Sequence, residues 1–398
     1  MGTALLLATF DPGEKGRRMI ADALHGAAET LFLPDLADAS RHEALQRATI
    51  LLARNTGNEL RPSEPALLAG AKLIQFMTAG VDYIPLDALP PGVPVACNAG
   101  AYAAPMAEHA LALALAAAKR LFVEHAALAQ GTFNQFTPNR MLAGRVCGIL
   151  GFGGIGVATA RLMRAVGMRI HAVNRRGRSD EPTDWIGTDA QLGQLLESSD
   201  MLIVSAPLTR ATRGMLGAAE LARMKPDAIL VNLARGEIID EAALYAHLVA
   251  NPGFTACIDA WWVEPVRHGA FRMDYPFMTL PNVIASPHNS ASVPEARELA
   301  LRSALANCRR VLEANRLGIW WMRRRRNCRR IRLPEQPKHP KWRRRAESPS
   351  RAHIPASPRM RGWLPWKETR TWTSAGHRGG LQGAQPSRPL PGASRQIA

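Results

Sequence analysis

Residues 146–156 read VCGILGFGGIG. A short apolar run leads into Gly151, Gly153 and Gly156, spaced GxGxxG, and an amphipathic helical pattern follows over 155–166. In that strand–turn–helix setting each glycine has a task. Gly151 permits the tight turn, Gly153 leaves room for a pyrophosphate against the backbone, and Gly156 lets helix and strand pack closely. Gly154 and Ile155 complete the loop, and the N–H groups at the helix start face the phosphates. Glycines that merely make a tight turn are the plainer reading. The strand before and the helix after favour a dinucleotide.

The next strand, RIHAV at 169–173, ends at Asn174, Arg175 and Arg176. An acid at that place would bind a free ribose 2′-OH and repel a 2′-phosphate. Asn does not repel it, and a guanidinium pairs with it well. NADP(H) is therefore favoured over NAD(H), against the alternative that these arginines sit on a solvated turn.

Outward from this point the alternation continues. Strands are expected at MLIVSA (201–206), AILVNL (228–233), TACIDA (255–260) and NVIAS (282–286), with helices over 189–197, 217–223 and 240–249. Upstream, LLLATF (5–10), ATILLA (48–53), KLIQF (72–76) and VPVACN (93–98) form an earlier βα block. Both blocks imply parallel sheets covered by helices. Pro105 opens an Ala/Leu-rich helix reaching about Phe122, and 123–143 is polar and irregular, suited to a surface loop or short helix. A last helix over about 293–315 finds the second sheet complete, so it is placed against the first. The expected domains are 1–98 and 290–318 for the first, discontinuous unit and 99–289 for the nucleotide-binding unit.

The net charge of +17 and pI near 10.7 point at first to nucleic acid. Residues 319–398 carry 20 of the 50 Lys and Arg but only three acids, so 1–318 is formally neutral. The body reads as an ordinary soluble protein with a basic appendix. That tail holds six of nine tryptophans and ten of 29 prolines and keeps no period of 2 or 3.6, so disorder is expected. Its Arg/Trp interleaving suits contact with nucleic acid or anionic lipid; an unselected, out-of-frame extension is the favoured alternative. The five cysteines form no CxxC pair, which disfavours a metal or disulfide framework. The N-terminus reads as a first strand rather than a signal peptide, no run suits a membrane span, and a cytoplasmic location is expected.

Three polar residues follow successive strands where ligands of such sheets bind. Arg235 follows ILVNLA, Glu264 follows CIDAWWV and His288 follows VIASP. Together they suit hydride transfer to a 2-oxo acid. Arg235 binds the carboxylate or carbonyl oxygen with fixed donors. His288 donates a proton as charge grows on that oxygen. Glu264 close by favours the imidazolium. Singly, each has a duller role: a helix cap or ion pair for Arg235, plain surface for Glu264, a turn histidine for His288. Asp259, at a strand end, is a candidate acceptor from a nicotinamide carboxamide, or a loop cap.

The sequence resembles the D-isomer-specific 2-hydroxy acid dehydrogenases over roughly 45–315. The stretches carrying the likeness are AGVDYIPLDAL (79–89), AEHALALALAAAKR (107–120), GFGGIG (151–156), APLTRATRGMLG (206–217), VNLARGEIIDEAAL (231–244), DAWWVEP (259–265) and SPHNSA (286–291). The resemblance implies a Rossmann domain inserted into a flavodoxin-like substrate domain, with hinges near 98–102 and 288–294. It implies His288 as acid/base, Glu264 as its partner, Arg235 as substrate anchor, and backbone N–H groups around Gly80 and Val81 on the substrate carboxylate. Pro207 joins the expected cofactor contacts. A homodimer across the nucleotide domains is implied, with the 105–120 helix near the interface. The family branch that oxidises formate typically carries glutamine at the Glu264 position. A small substrate resembling glyoxylate or hydroxypyruvate is expected. The alternative is a catalytically weak, dinucleotide-sensing corepressor or scaffold of the same fold, its tail binding nucleic acid.

Overall fold

The computed structural model describes residues 3–313 and the backbone of 319–322 and 329–332. Its first sheet contains β1 (Leu5–Ala8), β2 (Glu29–Phe32), β3 (Ile50–Ala53), β4 (Leu73–Phe76) and β5 (Val95–Ala96). These run parallel in the order β2-β1-β3-β4-β5. The second sheet contains β6 (Val146–Leu150), β7 (Arg169–Val173), β8 (Trp185–Gly187), β9 (Met201–Val204), β10 (Ile229–Asn232), β11 (Thr255–Ile258) and β12 (Val283–Ala285). It is parallel throughout, in the order β8-β7-β6-β9-β10-β11-β12. The order reverses between β6 and β9, and the crevice beyond the strand ends there is where such sheets bind ligands. Both sheets are doubly wound: the first has flavodoxin-like strand order, the second is a Rossmann sheet.

The apolar runs become strands because both faces of each sheet are covered. Every residue of β3, β4, β9 and β10 is buried, as expected where helices flank a parallel sheet. The helix Ala103–Ala118 packs on the helix Gly154–Ala165 and reaches β10 and β11. Its all-round apolarity is thus used within the chain. The helix Pro294–Leu312 begins with proline at a first-turn position, where a missing N–H costs nothing. It buries Ala300, Leu301, Ala304 and Leu305 against the helix Gly13–Leu24 and β4. Asn98 pins it: the side-chain amide donates to the carbonyls of Ala300 at 2.7 Å and Met77 at 3.2 Å.

Several elements go beyond the sequence reading. β2 and β8 were not expected: β2 begins at an exposed glutamate and has no fully buried residue, and β8 is only three residues long. The preceding helix stops at Ala118 rather than near Phe122, and the short helix allowed for in the polar stretch is Leu121–Ala129, split from it by Arg120 in left-handed backbone (φ 53°). In the tail, β13 (Ile319–Met322) and β14 (Arg329–Arg332) pair antiparallel, and β13 adds to β5 at Trp321↔Val95. This corrects the expectation of disorder for those eight residues, whose IWWM run has strong β preference. The rest of the expected disordered tail lies outside the described residues. Among the described residues no helix is long and apolar enough to cross a membrane, and no group of three or more His, Cys, Asp or Glu is placed to hold a metal. Cys147, Cys257 and Cys308 are buried, and burial pushes each thiol up to about 12.

Candidate active site

β6 ends directly in the glycine turn. Gly151 has φ +100°, and a Cβ there would meet the Ala206 nitrogen at 2.4 Å. A Cβ on Gly156 would lie 2.5 Å from the Gly151 carbonyl oxygen, so the first helical turn packs against the strand end with no room to spare. Around Gly153 nothing lies within 4 Å of that direction. Gly153 is the N-cap and offers no side-chain cap, so the first-turn N–H groups of the helix point into this open space. Closed glycines around an open one, beneath uncapped N–H groups, fit a pyrophosphate. Pro207 follows β9 across the crevice and is exposed; its carbonyl accepts from the Thr212 hydroxyl at 2.7 Å.

At the end of β7 the Asn174 side chain is drawn into its own turn. Its oxygen accepts from Arg176 N–H at 2.9 Å and its amide donates to the Arg178 carbonyl at 3.1 Å. Arg175 and Arg176 are exposed. Asn174, not an acid, occupies this strand end.

Glu264 and His288 meet. His288 Nδ1 lies 2.7 Å from Glu264 Oε1, with side chains 33% and 8% exposed. The same Oε1 accepts from Trp261 N–H at 2.7 Å. Burial pushes the Glu264 carboxyl up, but the His288 hydrogen bond and charge, Trp261 N–H and Arg235 together hold it below its ordinary value. His288 has left-handed backbone, φ 49°, an unusual conformation for a residue with a side chain. Asp259 sustains it. The Asp259 carbonyl accepts from His288 N–H at 2.9 Å. Its fully buried carboxylate accepts from Ser286 Oγ at 2.6 Å, Asn289 N–H at 3.1 Å and Ser290 N–H at 3.4 Å. Ser286 Oγ also contacts His109 Nε2 at 3.0 Å.

Arg235, just beyond β10, crosses to the first sheet. Its Nη2 and Nε donate to the Asp82 carboxylate at 3.0 and 3.3 Å, and its Nη1 to the Ala234 carbonyl at 2.8 Å. A Cβ on Gly80 would lie 2.1 Å from Nη2, so glycine at this place after β4 leaves the guanidinium where it is and a larger residue would displace it. Asp82 also faces Arg267 at 3.6 Å, and Arg267 is forked onto Glu237 at 2.5 and 2.9 Å. Trp261 and Trp262 are packing residues. Both are buried, their indole N–H groups donate to the Ser286 and Ile239 carbonyls, and Trp262 stacks on Phe277. Arg54 lies over the Phe10 ring at 4.1 Å. Asp82 lies inside the AGVDY stretch, yet sequence reasoning missed it, as it did Arg267. A carboxylate pairing with an arginine 153 positions away leaves no local signal.

A glycine turn opening a helix of a Rossmann sheet, in a chain of two parallel-sheet domains, fits a nicotinamide-dinucleotide-dependent dehydrogenase. Comparison agrees. Residues 111–290 match the family model described as D-isomer specific 2-hydroxyacid dehydrogenase, NAD binding domain. The chain is 34% identical over 229 residues to hydroxypyruvate reductase of Thermotoga maritima, covering 57% of this chain and 72% of that one. It is 33% identical over 232 residues to glyoxylate reductase of Korarchaeum cryptofilum, covering 57% and 68%. Among solved structures, a D-isomer specific 2-hydroxyacid dehydrogenase family protein from Aeromonas salmonicida superposes with TM-score 0.65 at 26% identity, covering 79% of this chain and 98% of that one. The chain belongs to the D-isomer specific 2-hydroxyacid dehydrogenase family.

Proposed function

We propose that the protein reduces a small 2-oxo acid, of the glyoxylate or hydroxypyruvate kind, to the D-2-hydroxy acid, reversibly. The observation that carries this reading is the 2.7 Å contact of His288 Nδ1 with a largely buried Glu264. With Nδ1 committed to a carboxylate, the ring presents Nε2 to the crevice as the proton-transferring atom. A bound nicotinamide supplies the hydride. His288 gives the substrate oxygen its proton in reduction and takes it back in oxidation. Glu264 stabilises the charged ring. Arg235 and the N–H groups of Gly80 and Val81 hold the substrate carboxylate, so the positive field lies where oxyanion charge grows. Asp259, fully buried and held by Ser286, Asn289 and Ser290, keeps the loop carrying His288 in place.

For the cofactor, the absence of an acid at Asn174 and the exposed Arg175 and Arg176 favour NADPH over NADH. For assembly, Phe122 and Phe136 are 60% and 91% exposed, with Leu121, Leu128, Phe133 and Met141 nearby in sequence. So large a run of exposed apolar groups on the nucleotide-binding side supports a homodimer.

The test is oxidation of NADPH and of NADH over glyoxylate, hydroxypyruvate, pyruvate and phenylpyruvate. Turnover favouring NADPH with a small 2-oxo acid is expected. A folded protein that binds the dinucleotide but turns over none of these acids would contradict the reading.

A further inference from the structure

The ion pairs beside Arg235 do more than join two halves of the chain. Guanidinium carries five N–H donors. In Arg235 the side edge, Nε and Nη2, is forked onto Asp82, and one Nη1 donor goes to the Ala234 carbonyl. One N–H on each of Nη1 and Nη2 is left, which is what a carboxylate or an adjacent carbonyl oxygen needs. Asp82 and Arg235 side chains are 13% and 17% exposed, so the fork is largely shielded from water. Asp82 does not simply neutralise Arg235, because its second oxygen also faces Arg267 at 3.6 Å. Arg267 is in turn fixed by Glu237, and its side chain is 10% exposed.

We propose that Asp82 is a positioning residue for the 2-oxo acid: it grips the side edge of Arg235 over Gly80, aims the remaining N–H pair at the substrate, and shares its negative charge with Arg267 so that a net positive field from Arg235 still faces a carboxylate. This rests on Arg235 being the substrate anchor. The opposite role is equally concrete: a carboxylate resting on Arg235 masks it and competes with substrate. The two roles move KM in opposite directions.

The experiment compares Asp82→Asn, Asp82→Glu and Arg235→Ala with the wild-type full chain, using glyoxylate with a saturating nicotinamide cofactor and measuring cofactor Kd separately. Asn keeps the shape but turns an amide toward the guanidinium. The expected result is a KM for glyoxylate raised about tenfold or more by Asp82→Asn, a smaller change in kcat, an unchanged cofactor Kd, and partial recovery in Asp82→Glu. An unchanged or lowered KM in Asp82→Asn, with Arg235→Ala still severely impaired, overturns the positioning role and leaves the site intact. Full activity in Arg235→Ala overturns the site assignment itself, and this inference with it.

Discussion

Replacing Glu264 by glutamine removes one charge and little else. Oε1 of Glu264 carries both hydrogen bonds, from Trp261 N–H and from His288 Nδ1, each at 2.7 Å. A glutamine carbonyl can take that place, with its amide where Oε2 lies. Both bonds then survive, and only the attraction between carboxylate and imidazolium is lost. The pair is 33% and 8% exposed, so water screens it only in part. A hydrogen bond to a charged group contributes about 1.5–3 kcal/mol and a neutral one about 0.5–1.5, which leaves roughly 1–2 kcal/mol for the charge. In rate that is roughly a 5- to 30-fold loss of kcat/KM. Steady-state kinetics with 2-oxo acid and with 2-hydroxy acid, together with cofactor binding, measure it. Unchanged kcat/KM refutes the reasoning, as does a loss matched by weaker cofactor binding. Glu264→Ala would also leave Trp261 N–H unpaired and is expected to lower Tm as well.

Gly80→Ala puts a methyl 2.1 Å from Arg235 Nη2, so KM for the 2-oxo acid is expected to rise about tenfold while Tm changes little, read by kinetics and calorimetry. Glu64, Asp200, Glu237 and Glu264 are all held below their ordinary values in the fold. The unfolded chain therefore binds more protons as pH falls. Their stabilisation is complete above the unfolded value of 4.5 for the glutamates and is lost as pH drops through the folded values, so Tm should fall steeply there. For the proposed homodimer, Phe122→Ser with Phe136→Ser is expected to shift sedimentation to the monomer; an unshifted dimer would place the interface elsewhere.

Much of this was legible because buried parallel strands are continuous apolar runs. VCGIL and RIHAV became β6 and β7 with the expected bounds. The other runs read long by one to several residues, since nothing in LLLATF or VPVACN marks where sheet pairing stops. ETLF and WIG lacked the pattern because edge strands need not bury their side chains. The residues proposed for chemistry were readable one at a time from their places after strands. Their connections were not. The bond from Asp259 to the His288 loop, the turn that occupies Asn174, and the Asp82–Arg235–Arg267 cluster depend on three-dimensional closure. The exposed apolar groups at 121–141 sit in a stretch that reads as polar overall, and only their exposure after folding distinguishes them.

The most direct test of the account is His288→Asn. Asparagine tolerates the left-handed backbone that His288 adopts at φ 49°, so the loop should hold while the ring is lost. Cofactor binding by the holoenzyme is expected to be unchanged, and kcat for 2-oxo acid reduction to fall by about 10²–10⁴. A variant that binds cofactor and still turns over at the wild-type rate would contradict the assignment of His288 as the proton-transferring residue.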